Sequence, residues 1–335
     1  MPPIIIPVDD ITRVAEARRL AVESAELEGL GERSSGELAI ITTEIATNIL
    51  KHAKSGEIHI TQLSGTAEPG VEILAIDRGP GMSNIQACVA DGYSTSGTPG
   101  TGLGAISRLA DVFDAYSQPG KGTVLVARKF RNGKIAAGSG YWDFAGVKTP
   151  YPGEQLCGDN WTVRRNGSRT AVIVADGLGH GILAAEASSA AIASFHKKGQ
   201  IEAPAVMLEN VHLALRSSRG AAVAVSLLEH GTGRVQYSGI GNIAGVLLGG
   251  PRTQFMVSHN GTAGLAARRF QEFDYVVPAE GSIVMHSDGL TTSWSIEPYP
   301  GLLRRHPAVI AGILYRDASR GRDDSCVVVG RWRQE

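Results

Sequence analysis

Four aspartates in the second half of the chain have the chemistry of metal ligands. Asp176 and Asp288 each follow an apolar run and each precede a glycine, while Asp159 and Asp323 lie in short polar stretches. Hard divalent cations prefer carboxylate and carbonyl oxygen, and two ions that share one carboxylate can turn a water into hydroxide and support in-line attack on phosphorus. A single Asp-Gly pair is usually a β-turn. The full set predicts a pair of metal ions, with the carbonyl of Gly177 also within reach.

Two details of this centre stay open in the sequence. Asp324 directly follows Asp323 and could take its place as a ligand. His180 is either a group behind the ligands or a structural loop histidine. A calcium-binding loop is excluded, because such a loop packs its carboxylates into a run of about 12 residues.

A second chemical group lies in the first half. Glu44 and Asn48 are one helical turn apart, so both lie on one face of a predicted helix, together with Lys51 or His52. A carboxylate and an amide stacked in this way can hold a water and a metal ion bound to phosphates. Alone, such a pair is usually a solvated helix face.

Three glycine-containing segments follow this helix. Asp77 begins the segment Asp77-Arg78-Gly79-Pro80-Gly81, where the carboxylate can accept from an exocyclic amine such as that of adenine. Gly100-Thr101-Gly102-Leu103-Gly104 opens a helix whose N-terminus favours phosphate, and Gly120-Lys121-Gly122-Thr123 enters a strand. A dinucleotide fingerprint fits poorly, because Ser107 stands where a third glycine is expected. The order of the four pieces predicts a nucleotide site.

These residues need an α/β framework to bring them together. The helical spacing of apolar residues predicts a helix over 11–27. A second helix is predicted to begin at a capping box formed by Ser34 and Glu37 and to end at about residue 53. Apolar and alternating runs predict strands over 57–63, 71–76 and 123–129 and a helix over 103–110. The buried stripe of the second helix is predicted to be Leu38, Ile41, Ile45 and Ile49. We expect an α/β sandwich of about 130 residues.

The second half is richer in strands and has two adjacent helices. Strands are predicted over 161–165, 170–175, 221–228, 235–239, 244–248, 273–277, 282–286 and 326–329, and helices over 181–197 and 204–217. This pattern predicts an αββα sandwich, so the fold class is α/β (α+β) in both halves. We expect domains at 1–131 and 141–335, joined by a glycine-bearing linker at 132–140.

The composition limits the classes of function. The 335 residues are 43% apolar and 19% charged with a formal net charge of -1, which indicates a globular protein without nucleic acid as a partner. The three cysteines lie far apart without metal-ligand spacing, which indicates a reducing compartment. We find no signal-peptide pattern at the start and no apolar run near the roughly 20 residues that span a bilayer. We therefore expect a cytoplasmic protein with no membrane partner.

The motif order of residues 5–130 resembles the GHKL ATPases, and the stretch 91–97 is most similar to the RsbT-type switch kinases of the bacterial stressosome. The resemblance implies ATP and Mg²⁺ as cofactors. It implies that Glu44 is the catalytic base, Asn48 a Mg²⁺ ligand and Asp77 the adenine contact, with Gly102 and Gly104 in the phosphate lid. The other nucleotide-binding residues that it implies are Lys51, Gly79, Gly81, Gly100, Leu103 and Thr123.

The acceptor of such a kinase is predicted to be serine or threonine. His52 lies within the ATP helix itself, and no preceding helix pair bears a phospho-accepting histidine. This argues for Ser/Thr kinase chemistry over histidine kinase chemistry.

Residues 140–332 resemble the SpoIIE branch of the metal-dependent type 2C protein phosphatases, and the run 176–192 is most similar to the RsbX type. The segment Gly239-Ile240-Gly241-Asn242 also matches this branch. The resemblance implies a pair of Mn²⁺ or Mg²⁺ ions. Asp176 would bridge both ions, Gly177 would offer its carbonyl, Asp288 and Asp323 would hold the other metal, and Asp159 would position waters.

Together these resemblances imply a kinase fused to the opposing phosphatase. The family implies a STAS-domain partner of the RsbS or RsbR type, phosphorylated by the first half and dephosphorylated by the second. The alternative is that the first half is an ATP-binding anti-sigma factor, which acts by sequestering a sigma factor.

Overall fold

The computed structural model describes residues 2–63, 69–89, 102–133, 141–197, 199–267, 269–278 and 280–333. Gly100, the stretch 91–97 and most of the predicted linker lie outside the described residues. The chain forms two compact units, one of residues 1–137 with 299–313 and the other of residues 138–298 with 314–335. Within the described residues, no helix has both the length and the apolar character needed to cross a membrane.

The first unit contains one antiparallel sheet of five strands in the order β1-β2-β3-β5-β4. Its strands are β1 (Ile4–Val8), β2 (Gly56–Gln62), β3 (Gly70–Asp77), β4 (Val112–Gln118) and β5 (Gly122–Phe130). Its helices are α1 (Ile11–Leu27), α2 (Glu32–Asn48), α3 (Ile85–Val89) and α4 (Gly102–Leu109), and a π-helical turn, Ile49–Ala53, continues α2. The predicted α/β sandwich is confirmed.

One face of this sheet is covered by α1 and α2. The predicted stripe of α2 is buried, each of its four residues being at most 4% exposed, and it packs with α1 and the sheet in one core. The predicted capping box is wrong, because α2 begins at Glu32 after Gly31 and has no side-chain cap. Glu37 instead forms ion pairs with Arg33 at 2.9 Å and with Lys129 at 2.6 Å.

A later segment of the chain, residues 299–313, belongs to the first unit. The backbone N–H of His306 donates to Oδ2 of Asp114 at 2.6 Å, and Nη1 of Arg305 lies 3.3 Å from Oδ1 of the same side chain. The Lys121 ammonium lies 4.2 Å from the ring centre of Tyr299. The segment is therefore held by β4 and by the β4–β5 turn, a packing that the linear boundary at residue 131 does not include.

The second unit contains two antiparallel sheets of five strands, β13-β10-β9-β8-β7 and β12-β11-β14-β15-β6. Its strands are β6 (Tyr141–Thr149), β7 (Asp159–Asn166), β8 (Arg169–Gly177), β9 (Ala221–Glu229), β10 (Arg234–Ile240), β11 (Ala244–Leu248), β12 (Gln254–Met256), β13 (Phe273–Val276), β14 (Ser282–His286) and β15 (Ser325–Arg333). Its helices are α5 (Ile182–His196) and α6 (Pro204–Ala214), and α7 (Pro307–Ala318) is divided between the two units at residue 313.

Two cores hold this unit together. Trp142, Tyr237 and Met285 lie in the core that contains residues of both sheets. Phe195 of α5 and Leu208 of α6 pack in a second core, against the outer face of the sheet that contains β8 and β9. The predicted sandwich with two adjacent helices is confirmed, and the strands β6 and β12 and the helix α7 add to it.

We expect Asp114→Ala to loosen the segment 299–313, because the change removes the acceptor of two hydrogen bonds. Loss of such bonds costs about 1–3 kcal/mol, so tryptic cleavage after Arg304 or Arg305 should accelerate roughly fivefold or more if it follows local opening. Mass spectrometry of limited digests measures the rate. Asp9→Ala, at a side chain that is 61% exposed, is the control, and equal rates in both variants would contradict the role of Asp114.

Candidate functional site

Glu44 and Asn48 lie where α2 meets the start of α4. Both side chains are half-buried. A methyl group on Gly102 would lie 3.2 Å from Oε2 of Glu44 and 3.4 Å from Nδ2 of Asn48. The first turn of α4, whose N–H groups have no partner inside the helix, therefore faces the predicted catalytic pair. This is an arrangement that favours an anion beside a carboxylate-bound cation.

The neighbouring residues of this group occupy different environments. Leu103 is partly buried against the core of the first unit, and Gly104 is buried within the first turns of α4. Lys51 is exposed on the π-helical turn. A π-helical turn of this kind is rare and is often found at functional sites.

Asp77 ends β3 and organises the loop that follows it. Its Oδ1 accepts from the backbone N–H of Gly79 at 2.8 Å and from that of Thr123 at 3.1 Å. A methyl group on Gly79 would lie 2.7 Å from Cα of Ala53. The loop therefore lies directly against the π-helical turn that carries Lys51.

The β4–β5 turn closes on the same loop. Gly81 and Gly122 have positive φ angles of 68° and 80°, and a Cβ on either would overlap a backbone oxygen, that of Gln118 and that of Asp77 respectively. Only glycine permits this approach. Ser117, which was not singled out in the sequence, accepts from Met82 N–H at 2.8 Å.

The nucleotide residues therefore form two groups in the structure. Glu44, Asn48 and Gly102 meet in one, and Asp77, Gly79, Gly81 and Thr123 meet in the other. Gly100 lies outside the described residues.

In the second unit, strand register brings Asp159 and Asp176 together. The two residues are directly paired across β7 and β8. Asp159 is 1% exposed and its Oδ2 accepts from Ser287 Oγ at 2.6 Å, whereas its buried Oδ1 has no N–H or O–H donor among the described residues. Two carboxylates in this arrangement repel each other unless a proton or a cation lies between them.

The pKa values show how strongly the acidic groups interact. Burial, and then the charge of Asp176, raise the pKa of Asp159 well above its usual range. Burial, followed by the charges of Asp288, Asp323 and Asp324, raises the pKa of Asp176 to about 7. Burial and Asp288 also raise the pKa of Asp323. Asp176 therefore lies within electrostatic reach of the other three predicted aspartates.

Asp288 and the pair Asp323–Asp324 complete the cluster. Oδ2 of Asp288 accepts from Nδ2 of Asn242 at 2.7 Å. Asp323 is half-buried, and its Oδ1 accepts from the backbone N–H of Asp324 at 3.0 Å. Asp324 is 4% exposed; its Oδ1 accepts from Tyr151 N–H at 2.8 Å, and its buried Oδ2 has no donor within the described parts of the chain.

The cluster has the donor set that a divalent metal requires. It offers carboxylate oxygens, two of them buried without a donor, and their mutual repulsion is relieved by a cation. Among the described residues, no three acidic, histidine or cysteine side chains already surround one point at coordination distance. The fit therefore depends on donor chemistry and charge, and the residues that would hold the ions are Asp176, Gly177, Asp288, Asp323 and Asp159.

Three residues that support the cluster were not singled out as functional in the sequence. Ser287 connects Asp159 to the backbone N–H of Cys326, which donates to its Oγ at 3.0 Å. Asn242 holds Asp288, and Tyr151 holds Asp324. The sequence signals for Ser287 and Asn242 are the segments that contain them, Ser287-Asp288-Gly289 and Gly239–Asn242. Nothing in the sequence around Tyr151 indicates a contact with residue 324.

His180 lies beside the cluster in a polar turn. Its Nδ1 is 3.0 Å from Oε1 of Glu154, and its ring stacks on that of Tyr151 with centres 4.3 Å apart. These partners give it a place in the structure of the loop that follows Gly177.

Comparison with known proteins identifies both halves. A family model described as a histidine kinase-like ATPase domain matches residues 8–129, and the model of stage II sporulation protein E (SpoIIE) matches residues 166–333. Over 117 residues, the chain is 36% identical to the serine/threonine-protein kinase RsbT of Bacillus subtilis (strain 168). This aligned region covers 35% of this chain and 88% of RsbT. Over 139 residues, the chain is 25% identical to the phosphoserine phosphatase RsbX of the same organism. This aligned region covers 41% of this chain and 69% of RsbX.

Two solved structures have a similar fold. One is a chain of a bacterial stressosome structure, with a TM-score of 0.53 and 24% identity, matching 57% of this chain and 100% of that chain. The other is RsbX in complex with magnesium, with a TM-score of 0.50 and 19% identity, matching 60% of this chain and 99% of that chain. The two family models and the two relatives confirm the predicted fusion of a kinase-like ATPase domain to a SpoIIE-type phosphatase domain.

We expect Asp159→Asn to raise the apparent melting temperature of the metal-free protein. Because burial raises the pKa of Asp159, its ionised form destabilises the folded state at neutral pH, and this cost disappears in acid. An asparagine keeps an acceptor for Ser287 and places an N–H group near Asp176. The gain should be roughly 1–3 kcal/mol, measured by scanning fluorimetry in EDTA.

The same melting temperatures, measured with MnCl₂ in place of EDTA, test whether Asp159 contributes to metal binding. Binding to the folded state stabilises it by mass action, so Mn²⁺ should raise the melting temperature of the wild type more than that of Asp159→Asn. Asp274→Asn, whose parent side chain is 68% exposed, is the control and should behave like the wild type. A lower melting temperature of Asp159→Asn in EDTA would refute the repulsion described above.

Proposed function

We propose that this chain, which belongs to the SpoIIE family and carries a histidine kinase-like ATPase domain of the RsbT type, adds and removes phosphate on the same partner protein. The first domain transfers the γ-phosphate of ATP to a serine or threonine, and the second hydrolyses the phosphoester. The observation that supports the proposal is that Gly102 lies beside Glu44 and Asn48 in the first unit, while Asp159, Asp176 and Asp288 interact closely in the second.

The carboxylate cluster supports the hydrolytic half. When bound, a pair of Mn²⁺ or Mg²⁺ ions would supply Lewis acidity and lower the pKa of a bound water. Asp176, Asp288 and Asp323 would hold these ions, together with the carbonyl of Gly177. Asp159 is fixed by Ser287 and orients water through its free Oδ1. Asn242 keeps the Asp288 carboxylate turned toward the cluster by its 2.7 Å hydrogen bond.

The group around α2 supports the transfer half. Glu44 accepts the proton of the attacking hydroxyl, and Asn48 provides an oxygen for the Mg²⁺ that accompanies ATP. The N–H groups at the start of α4, beside Gly102, stabilise phosphate charge. Two backbone N–H groups, those of Gly79 and Thr123, orient the Asp77 carboxylate, which accepts from the adenine amine.

A STAS-domain protein is the partner that we propose. RsbT is a serine/threonine-protein kinase and RsbX a phosphoserine phosphatase. A fusion of similar domains is suited to phosphorylating and dephosphorylating the same serine. Sequestration of a sigma factor by the ATPase domain is the competing outcome. It predicts a stable complex with nucleotide present and no transfer of phosphate.

We expect Glu44→Ala and Asp288→Asn to separate the two activities. With radiolabelled ATP, Mg²⁺ and Mn²⁺, and STAS-domain proteins of the same genome, Glu44→Ala should lose label incorporation by at least roughly 100-fold and keep removal of preformed label. Asp288→Asn should incorporate label and fail to remove it, by a similar factor. Phosphate on serine, located by mass spectrometry, confirms the acceptor type.

Matched controls test whether the losses are local. Glu26→Ala, on the exposed side of α1, and Asp274→Asn, on the exposed strand β13, should retain both activities. Loss of both activities from either active-site variant would contradict two independent sites. A sigma factor that co-purifies with the ADP-bound chain, without label transfer to any STAS protein, would favour sequestration.

A further inference from the structure

A cleft lies beside the loop that follows the candidate metal ligand Gly177. It is lined by Glu154, Gly179, His180, Gly181, Ile182, Leu183 and Arg219. All of these residues belong to the second unit. None of them is among the residues assigned above to the metal ions, so the cleft is a separate feature of the phosphatase domain.

Strand register places Arg219 at this cleft. Gly177 pairs with Ala221, and the backbone N–H of Leu178 donates to the carbonyl of Gly220 at 3.0 Å. Gly220 has a positive φ of 80°, and a methyl group on it would lie 2.7 Å from the carbonyl oxygen of Ala263. This glycine turns the chain so that Arg219 lies at the loop just beyond the metal-binding end of β8.

The arginine is close to that loop and is not used to hold it. A methyl group on Gly179 would lie 3.3 Å from Nη1 of Arg219. Arg219 is exposed and has no hydrogen bond or ion pair to any described residue. The one acidic side chain that lines the cleft, Glu154, is instead 3.0 Å from Nδ1 of His180. A guanidinium without a protein partner is suited to bidentate pairing with an anionic oxygen of a ligand.

The opposite wall is tied to the carboxylate cluster. The turn Tyr151–Glu154 is closed by a 2.9 Å hydrogen bond from Glu154 N–H to the carbonyl of Tyr151, and the N–H of Tyr151 donates to Asp324. His180 then bridges this turn to the loop after Gly177 by stacking on Tyr151. This wall is therefore tied to Asp324, whose backbone N–H also donates to the candidate ligand Asp323 at 3.0 Å.

An apolar rim adjoins the arginine. Leu178, Ile182 and Leu183 are 52%, 63% and 48% exposed. A group of exposed aliphatic side chains next to an unpaired cation marks a contact surface for a ligand with both apolar and anionic parts. A small phosphate ester would use only the cation.

We propose that this cleft binds the polypeptide segment around the phosphoserine of the substrate. Arg219 pairs with an anionic oxygen of that segment, and Ile182 and Leu183 contact its apolar side chains. The proposal rests on the phosphatase activity proposed above and names the part of the substrate that the domain recognises. The anionic oxygen belongs either to the phosphoryl group or to a carboxylate beside it.

The test uses the full chain with MnCl₂ and two probes. One is a fluorescein-labelled synthetic peptide that carries a non-hydrolysable phosphonate analogue of phosphoserine between leucine and isoleucine, and its Kd is read from fluorescence anisotropy. The other is p-nitrophenyl phosphate, whose hydrolysis reports on the phosphoryl site alone. The anisotropy measurement does not depend on turnover.

The chain offers matched controls for both kinds of contact. Arg219→Ala is compared with Arg216→Ala, an exposed arginine that does not line the cleft. Leu183→Ala is compared with Leu213→Ala, since the parent side chains are 48% and 49% exposed. All four changes are at exposed positions, and melting temperatures check that each variant folds.

Arg219→Ala should weaken peptide binding roughly tenfold or more, and Arg219→Lys by less, because lysine keeps the charge without the planar fork. Leu183→Ala should weaken it about threefold, and both controls should change Kd less than about twofold. A parallel fall in kcat/KM for p-nitrophenyl phosphate assigns the arginine to the phosphoryl group. An unchanged value assigns it to a neighbouring carboxylate of the peptide.

Equal peptide affinities of Arg219→Ala and Arg216→Ala, with unchanged p-nitrophenyl phosphate hydrolysis, would overturn the proposal. That result differs from a failure of the proposed phosphatase function. If the wild type hydrolysed neither p-nitrophenyl phosphate nor a phosphoserine peptide, the catalytic assignment would fall. If the wild type hydrolysed both substrates and Arg219→Ala changed neither peptide affinity nor hydrolysis, only the proposal that the cleft binds the peptide would be refuted.

Discussion

The repulsion among buried carboxylates is the constraint on which the phosphatase half of this protein depends. Asp159 and Asp176 are paired across two strands, and Asp288, Asp323 and Asp324 add further negative charge nearby. A fold that buries such groups loses stability unless protons or cations neutralise them. The surrounding structure is arranged to tolerate the cost: Ser287, Asn242 and Tyr151 each donate to one carboxylate oxygen and leave other oxygens free. The buried carboxylates lower the stability of this edge of the sandwich, and bound divalent cations would remove that cost.

Glycines allow the charged groups of both halves to come close to the backbone. Gly102 lets α4 begin against Glu44, and Gly81 and Gly122 let two turns pack on each other around Asp77. In the second unit, a methyl group on Gly158 would lie 2.6 Å from Oδ2 of Asp324, and one on Gly289 would overlap the backbone carbonyl of the same residue. These glycines of the sequence therefore mark places where a side chain would displace one of the clustered carboxylates or a turn of the candidate nucleotide site.

On the proposed function, the two halves would apply one physical strategy to opposite reactions. Each would use oxygen ligands for a hard cation, with backbone N–H groups or an arginine nearby to interact with phosphate charge. In the phosphatase domain, the turn Tyr151–Glu154 that lines the cleft is tied to Asp324, and Arg219 precedes β9, the strand that pairs with Asp176. If the cleft binds substrate as proposed, a slip of β9 against β8 would damage both substrate recognition and the carboxylate cluster.

The sequence by itself determined the elements and the chemistry, because helical and strand periodicities and Asp-Gly segments are local. The stripe of α2, the helices α5 and α6, and the strand that leads into Asp176 follow from spacing alone. The tertiary structure decided what depends on long-range pairing: the start of α2, where Glu37 pairs with Lys129 from β5 instead of capping; the strand β6, which pairs with β15 near the other end of the chain; and the packing of 299–313 with β4. It also decided which residues support the aspartates, since Ser287 reaches Asp159 and Tyr151 reaches Asp324 only after the strands have paired. Local patterns carry no information about such partners, because the free energy that selects them comes from burial and hydrogen bonds between distant segments.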